Sequence, residues 1–327
     1  MSGARAELLE DAGAAAADDQ FFRSRPFLEA EGVTHSLRIE CDEGELVGPL
    51  IVRDIPGAAA RDATSPYGYP GLSAAGRGGV PRILPAVAPG DTPPTPPLDP
   101  DAIDWSATGL VSVFVRHALG PSPLAGPTER NVVQIADPAL SPKSRPSDRR
   151  QVRRNLEAGY ELELVPGGEA GAARQAGFLD VYEQTMRRAD AGAHYFFGAE
   201  YFERVLRAPR TWLALATAPG GALAAASIAV VSDGYLHYYL SGSADSHLRD
   251  SPMKNVVAGL IELADELGLP LNLGGGIAPG DALEEFKRGF ANRRLTWLTS
   301  ELICDRQRYE QLSAGREAGG YFPAYSA

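Results

Sequence analysis

The hydrophobic pattern is clearest in the second half of the chain, where apolar positions recur with the periods of strands and helices. From residue 160 onwards it predicts a strand, two helices, three strands, a helix, a strand, a helix and a final strand. The predicted strands cover 160–165, 211–218, 222–232, 234–241, 269–273 and 295–304, and the predicted helices cover 173–189, 199–206, 253–268 and 281–290. This succession indicates an α/β fold with a mixed sheet.

The first half carries short apolar runs bounded by Gly, Pro, Asn or Asp, which predict strands rather than helices. These runs cover 36–40, 46–55, 110–118 and 131–137. A Pro- and Ser-rich stretch at 138–150 then leads into a predicted helix that ends at Gly159. With 327 residues in the chain, we expect two domains, 1–145 and 146–327.

One long uncharged run raises the possibility of a membrane-spanning helix, because 22 residues separate Arg210 from Asp233. Pro219, Gly220 and Gly221 lie in its middle. Two buried antiparallel strands joined by a tight turn fit this pattern better than a membrane span does.

Composition narrows the possible functions. Hydrophobic residues make up 44% of the chain and charged residues 22%, which are ordinary values for a globular protein. The two cysteines exclude a disulfide framework, and a net charge of −11 argues against coating nucleic acid through the overall field. A phosphate-bearing partner would need a local basic site.

The N-terminus is acidic where a signal peptide would be cationic and apolar, so we expect a cytoplasmic protein with a frayed leader. A proline-rich stretch at 88–100 is expected to be an extended surface loop.

The order of elements from residue 160 is that of the GNAT acyltransferase fold. The segment from His237 to Gly276 (HYYLSGSADSHLRDSPMKNVVAGLIELADELGLPLNLGGG) and the following LEEFKRGF resemble the FemXAB family of aminoacyl-tRNA-dependent transferases. The resemblance covers 145–305 well and the N-terminal half in outline. It implies two tandem GNAT-like domains, with the acyl-transfer site in the C-terminal one.

Lys287 is the sharpest single candidate. On a helical wheel it falls with Leu283, Phe286 and Phe290 on one apolar stripe. Its ammonium could reach solvent from a buried stem, or it could face a phosphate or a developing oxyanion in a cleft. The FK.GF pattern agrees with the second interpretation, and the resemblance implies that Phe286 and Lys287 contact the donor tRNA end.

Two further basic groups could extend an anionic site. Arg293 and Arg294 follow Lys287 closely, although a solvated charge pair would also explain them. The stretch from Lys143 to Arg154 holds six cations and one Asp in twelve residues. It could bind a tRNA backbone or form an ordinary exposed helix between domains.

The predicted strand from Tyr235 to Ser241 places His237, Tyr239 and Ser241 on one polar-aromatic face. In a GNAT layout this strand splays from the next one and holds the donor's acyl arm. His237 and Tyr239 are therefore candidates for proton transfer or for shaping the pocket, and Ser241 is a candidate for donor binding. A satisfied surface histidine is the alternative for His237.

The helix after this strand begins at a second candidate donor site. Ser251 is a possible N-cap with Pro252 at the first helical position, so that backbone N–H groups and Lys254 would face the donor. The Q/R-x-x-G-x-G/A loop of acetyl-CoA enzymes is missing from the chain. Gly274, Gly275 and Gly276 form no complete nucleotide-binding motif and are expected to permit close approach of a substrate or a tight turn.

The acceptor is predicted to contact Tyr67 and Tyr69, which lie in a rigid Pro- and Gly-rich turn. The histidines show no metal-ligand spacing, no serine nucleophile motif is present, and no cofactor is expected.

The favoured reaction moves an aminoacyl group from aminoacyl-tRNA to an amine or hydroxyl of a small molecule or a peptidoglycan precursor. An acyl-CoA-dependent N-acyltransferase and a non-catalytic GNAT-like binding protein are the alternatives. The transferred amino acid, the acceptor and the oligomeric state are left open by the sequence.

Overall fold

A computed structural model describes residues 3–42, 44–75, 81–82, 97–142, 144–316 and 319–326. By its contacts the chain divides into two compact units. The first contains Met1–Ala17, Glu31–Arg130 and Thr296–Ala327, and the second contains Asp18–Ala30 and Asn131–Leu295. These contact-based units differ from the domains 1–145 and 146–327 expected from the sequence, and that boundary stays a prediction.

The first unit is built mainly of antiparallel strands. Its elements are β1 (Arg5–Leu9), β2 (His35–Cys41), β3 (Gly44–Asp54), β4 (Arg61–Thr64), β5 (Ser73–Ala75), β6 (Pro81–Arg82), β7 (Leu110–Arg116) and, near the C-terminus, strand Arg293–Ile303 and helix Arg306–Ser313. The main path pairs β1 with β2, then β3, β4 and β7, and strand Arg293–Ile303 pairs with β7. Leu37, Ile39, Val113 and Leu124 are fully buried in its core.

The stretch expected to be a frayed leader contains a paired strand from Arg5 onwards, so that expectation was wrong for these residues. Residues Arg5–Leu9 pair with β2 over five residues, from Arg5 opposite Glu40 to Leu9 opposite Ser36. Ala6 is fully buried there. Of the acidic residues that suggested a solvated tail, Glu7 lies within this strand, and Glu10 and Asp11 follow it directly.

The second unit follows the predicted order of elements. It comprises α1 (Arg25–Ala30), β8 (Thr128–Ala136), α2 (Pro146–Glu157), β9 (Glu161–Pro166), α3 (Ala172–Arg188), α4 (Ala199–Leu206), β10 (Thr211–Thr217), β11 (Leu223–Ser232), β12 (Tyr235–Ser243), α5 (Met253–Leu267), β13 (Leu271–Gly274) and α6 (Ala282–Arg288). In the same chain-order numbering, the strand Arg293–Ile303 and the helix Arg306–Ser313 named above with the first unit are β14 and α7.

The sheet of the second unit runs in the order β8, β13, β12, β11, β10, β9. β11 is buried along nearly its whole length, as expected of a central strand covered on both faces. α5 packs on one face through Val256, Val257 and Leu260, and α3 packs against β11 and β12.

The uncharged run between Arg210 and Asp233 forms the predicted hairpin. β10 and β11 pair antiparallel from Thr211 opposite Val230 onwards, around a turn at Pro219–Gly221. Within the described residues, no helix combines the length and the apolar character that crossing a membrane requires.

Two irregularities of β12 position the site. In the pairing of β12 with β11, Leu240 lies opposite Ile228 and Tyr238 lies opposite Ala229. Tyr239 is therefore the extra residue of a β-bulge in β12. On the other side, β13 pairs only with Leu236 and His237 among the described residues of β12. The two parallel strands therefore separate beyond His237, as the GNAT resemblance implied.

Parts of two predictions lie outside the described residues. The proline-rich stretch is described only from Pro97 onwards, and Lys143 of the basic stretch is not described.

Candidate functional site

Lys287 lies in the last turn of α6 with its side chain buried. Its residue surface is only 8% exposed, and its Nζ donates a hydrogen bond of 2.7 Å to the carbonyl oxygen of Gly275. Nζ also lies 6.0 Å from the ring centroid of Tyr238. Burial lowers the pKa of this ammonium to about 8, while the charge of Asp281 acts in the opposite direction. An ammonium has three N–H donors, so two remain for a ligand once Gly275 is bonded, as far as the described residues show.

The turn that receives Lys287 is Gly274–Gly276, directly after β13. Gly274 has φ of +76°, a value that favours glycine, and a Cβ at this position would lie 3.1 Å from Nζ of Lys287. Asn131 donates 2.8 Å to the carbonyl oxygen of Gly276. The glycines thus give the ammonium close access to the backbone, and the expected close approach of a substrate stays a prediction.

Asp281 fixes the loop between this turn and α6. Its carboxylate accepts hydrogen bonds from the backbone N–H groups of Ile277, Ala278 and Glu284, at 2.7 to 3.0 Å. These hydrogen bonds, led by that from Ala278, lower the pKa of Asp281. Ile277, in the same loop, is 83% exposed.

Ser241 lies beside Tyr238, not on the face of His237 and Tyr239. A Cβ at the next residue, Gly242, would collide with the backbone of Val181 and Tyr182 in α3, so that Gly242 faces α3 and Ser241 faces the opposite side. Burial raises the pKa of Tyr238 to about 12, and a hydrogen bond with Ser241 acts against this. The predicted grouping of Ser241 with Tyr239 was wrong because the bulge at Tyr239 shifts the alternation.

His237 is buried, at 2% exposure, and both of its ring nitrogens are hydrogen-bonded. Nε2 is 3.1 Å from the carbonyl oxygen of Ser232, and Nδ1 is 3.0 Å from Nδ2 of Asn272. Burial lowers its pKa to about 4. A neutral histidine engaged on both sides is poorly suited to move protons, and its role in proton transfer stays an untested prediction.

Tyr239 belongs to an aromatic cluster on the α3 side of β12. Its ring meets those of Phe21 and Phe22 edge-on at 5.3 and 5.5 Å, and its hydroxyl lies 2.7 Å from that of Tyr201. The ring of Tyr201 stacks on Phe197 at 4.0 Å. These contacts fix the position of the Tyr239 ring, and its role in catalysis stays a prediction.

The start of α5 differs from the expectation in one residue. Ser251 adopts a left-handed conformation with φ of +49°, and Pro252 occupies the N-cap, so Ser251 does not cap the helix. Lys254 forms an ion pair of 2.9 Å with Asp148 of α2, whose side chain is 10% exposed. Its ammonium therefore links α2 to α5 in this structure, and its donor-binding role stays a prediction.

The remaining basic candidates have different surroundings. Phe286 is partly buried against the core beside Phe290, Arg293 forms an ion pair of 3.0 Å with Asp137, and Arg294 is exposed. The five arginines of the basic stretch are all exposed; they are Arg145, Arg149, Arg150, Arg153 and Arg154. Arg145 is paired with Glu285, and Arg153 with Glu157.

The acceptor candidates Tyr67 and Tyr69 lie in the first unit. The backbone N–H of Tyr67 donates 2.9 Å to Glu31, and Tyr67 is 37% exposed. The ring of Tyr69 meets Trp297 edge-on at 5.6 Å. Their contact with an acceptor stays a prediction.

The structure adds three residues that sequence reasoning missed. Tyr238 was not among the residues placed on the polar-aromatic face, Asn272 was counted only as part of a predicted strand, and Asp281 was placed inside the predicted helix rather than at its N-cap. A signal existed for two of them: Asn272 is a lone amide in the apolar run LPLNL, and Asp281 followed by Glu284 fits a helix N-cap.

Comparison with known proteins agrees with this layout. Residues 142–288 match a family model described as an acetyltransferase (GNAT) domain. No curated protein matches the sequence.

Solved structures match nearly the whole chain at low sequence identity. FemX matches with a TM-score of 0.59 and 11% identity, covering 93% of this chain and 97% of FemX. The C-terminal domain (DUF2156) of a protein named as a lysylphosphatidylglycerol synthetase from Agrobacterium fabrum matches with a TM-score of 0.56 and 12% identity, covering 91% and 92%. A conserved protein of unknown function from Bacteroides thetaiotaomicron VPI-5482 matches with a TM-score of 0.50 and 11% identity, covering 87% and 90%.

The chain therefore has the mixed α/β fold of GNAT-type transferases in the form seen in FemX. The resemblance drawn from the sequence is confirmed at the level of fold.

Proposed function

We propose that this protein transfers an aminoacyl group from aminoacyl-tRNA to an amine or hydroxyl of an acceptor. The fold supports a transferase, and FemX and the named lysylphosphatidylglycerol synthetase domain share that fold. The acceptor is a small molecule or a cell-wall precursor, and Tyr67 and Tyr69 are its predicted contacts.

The observation that carries the proposal is the buried Lys287 ammonium. Burying a cation with a single carbonyl acceptor costs free energy, so its presence calls for a use of the charge. Two unused N–H donors at a glycine turn can bind an anion that approaches the backbone closely. Donor phosphate and the oxyanion formed at the ester carbonyl both meet this description.

The chemistry requires no metal or covalent enzyme intermediate. The acceptor amine or hydroxyl attacks the ester carbonyl carbon, and the terminal ribose oxygen of the tRNA leaves and takes up a proton. Positioning and oxyanion support are the contributions that the protein makes to such a reaction. The separation of β12 and β13 beyond His237 supports placing the donor's acyl arm there, as the GNAT resemblance implies.

The exposed arginines of α2 support a polyanionic donor. Arg149 donates to the carbonyl oxygen of Ser144 and Arg154 donates to the side-chain oxygen of Gln151, neither of which is acidic. Arg150 is exposed. In a chain with a net charge of −11, such a local basic surface suits a nucleic acid backbone.

An acyl-CoA donor is the second candidate, because the matching family model is described as an acetyltransferase domain. The loop before α5 argues against it. The N–H of Ser251 is bonded to Leu248, the N–H of Lys254 is bonded to Ser251, and Pro252 has no N–H, which leaves few donors for a pyrophosphate.

The test is a reconstituted reaction with an amino acid, ATP, total tRNA, the cognate synthetase and a small-molecule extract as the acceptor source. We expect aminoacylated products by mass spectrometry that disappear after ribonuclease treatment. Activity that survives ribonuclease and needs an acyl-CoA would replace the proposal with the second candidate.

A further inference from the structure

A continuous chain of hydrogen bonds, buried except at its last step, connects β11 to the turn that receives Lys287. The carbonyl oxygen of Ser232 lies 3.1 Å from Nε2 of His237, and Nδ1 of His237 lies 3.0 Å from Nδ2 of Asn272. Oδ1 of Asn272 then accepts 2.9 Å from the backbone N–H of Gly274. Ser232, His237 and Asn272 are each at most 2% exposed. We call this chain the His237–Asn272 relay.

The chemistry of the groups fixes the direction of every bond in the relay. A carbonyl oxygen only accepts, so Nε2 of His237 carries the proton and Nδ1 is an acceptor. Asn272 must then turn its NH₂ group to His237 and its oxygen to Gly274. The neutral tautomer of His237 thereby sets the orientation of the Asn272 amide.

The surroundings of His237 keep it neutral. The ring of Phe22 stands edge-on at 5.0 Å, Tyr235 lies at 6.0 Å, and both are uncharged. Asp233 is the charged group that acts on it electrostatically, and burial outweighs that effect. Protonation would place an N–H of His237 against the NH₂ of Asn272 and break the relay.

The relay ends where the Lys287 site begins. Gly274 is held through its N–H, the next carbonyl oxygen, that of Gly275, accepts from Lys287, and Asn131 holds Gly276. A turn with positive φ and no side chain has little stiffness of its own, so its orientation depends on these anchors.

The geometry points to His237 and Asn272 as positioning residues that orient the Gly274–Gly276 turn and thereby keep the Lys287 ammonium in place. This inference rests on the proposed function for the use of that ammonium, but the positioning itself can be tested without turnover.

Acetylation of lysines can test this positioning directly, because the chain contains three lysines, Lys143, Lys254 and Lys287. We would expose the full-length protein to a limiting amount of the N-hydroxysuccinimide ester of acetic acid and quantify acetylation of each lysine by mass spectrometry. Lys254 is the internal reference. His237→Phe and, as the smaller change, Asn272→Ala remove the relay.

The matched control is His117→Phe. His117 is 1% exposed, its Nε2 is bonded to Ser300 at 2.8 Å, and burial lowers its pKa to about 4, as for His237. It lies in the first unit and has no part in the relay. Asn272→Asp is the conservative variant, because its carboxylate still accepts from Gly274 and can pair with a protonated His237.

Removing the relay should raise Lys287 acetylation about tenfold relative to Lys254, on the scale of one missing hydrogen bond, and should lower kcat in the transfer assay. Asn272→Asp should keep Lys287 protected, and His117→Phe should leave its labelling unchanged. Unchanged labelling in folded His237→Phe or Asn272→Ala protein, or an equal rise in His117→Phe, would overturn the inference. If labelling changes as expected but no tRNA-dependent transfer is found, the proposed function fails and the relay stands.

Discussion

Burial removes water from the Lys287 ammonium. One hydrogen bond to the carbonyl oxygen of Gly275 and a contact with the ring face of Tyr238 take the place of that hydration. Lys254, in contrast, is matched by the nearby carboxylate of Asp148. The two lysines thus make opposite contributions. Lys254 completes an ion pair between two helices, whereas Lys287 keeps a charge that the fold itself does not need.

Lys287→Met should therefore retain or raise the free energy of unfolding at pH 7 while lowering transfer at least about 100-fold, the scale of removing one oxyanion donor. Lys254→Met is the matched control. It leaves Asp148 unpaired, so we expect the free energy of unfolding in urea to fall by about 1 to 3 kcal/mol. A Lys287→Met protein that is folded and fully active would contradict the role of the ammonium.

The lowered pKa of Lys287 gives a pH dependence with a defined sign. An unfolded lysine stays protonated up to about 10.5, but the folded one loses its proton near 8, so the unfolded state binds more protons between these values. Stability should rise with pH in that window, and donor binding should fall. Reductive methylation with ¹³C labels the lysines, and their few signals can be followed by NMR. The Lys287 signal is assigned as the one that is absent from the spectrum of Lys287→Met, and it should titrate near pH 8. A midpoint close to 10.5 would place this ammonium in solvent.

The sequence identified Lys287 because a charge inside an apolar stripe is visible in the helical period alone. It could not identify Tyr238 or the role of His237, because their neighbours come from another strand and another helix. Asn272 lies 35 residues from His237 in the chain. Such pairs become visible only once β12 and β13 are placed side by side.

At the scale of elements, periodicity predicted the helices and strands between residues 160 and 304 almost to their ends, but it did not predict α7. It missed the bulge at Tyr239, since a single extra residue leaves no mark in an alternating pattern. The consequence was the misassigned face of Ser241. The short pairing of β12 with β13 is what opens the sheet beside the Lys287 site.

The exposed arginines of α2 allow a test of donor binding at this scale. Replacing Arg149, Arg150, Arg153 and Arg154 with Gln should flatten the dependence of log Kd for aminoacyl-tRNA on log salt by roughly 0.7 to 0.9 for each phosphate that the helix no longer neutralises. The control replaces Arg187 and Arg207, which are ion-paired with Glu183 and Glu203, with Gln. An unchanged salt slope in the α2 variant would exclude this helix from the tRNA-binding surface.

For the whole molecule, each unit contains one buried neutral histidine, His117 or His237, and burial lowers the pKa of each to about 4. As the pH falls, unfolded histidines bind protons from about pH 6.5, whereas the folded ones do so only near pH 4. The free energy of unfolding should therefore be highest above pH 6.5 and decrease towards pH 4. Urea unfolding should show a decrease of about 1 to 2 kcal/mol per histidine between pH 7 and pH 5. His117→Gln and His237→Gln should each reduce this pH dependence, and equal slopes in all variants would contradict the account.

The division of the chain was the hardest feature to predict. β1 and β14 pair with strands that are distant in sequence, and the segment Asp18–Ala30 leaves the first unit for the second. Local patterns carry no information about such long-range pairing. The family resemblance predicted the fold correctly, because it rested on the contiguous stretch from β9 to α6.

The most direct measurement of the central claim compares two donors on the same wild-type protein by calorimetry. One is a tRNA carrying its amino acid through a stable amide at the 3′ end, and the other is acetyl-CoA at about 0.1 mM, within the ~1 μM to 1 mM range in which enzymes usually bind substrates. We expect saturable binding of the charged tRNA that weakens at least about tenfold in Lys287→Met, and none of acetyl-CoA. Saturable binding of acetyl-CoA without binding of the charged tRNA would contradict the account.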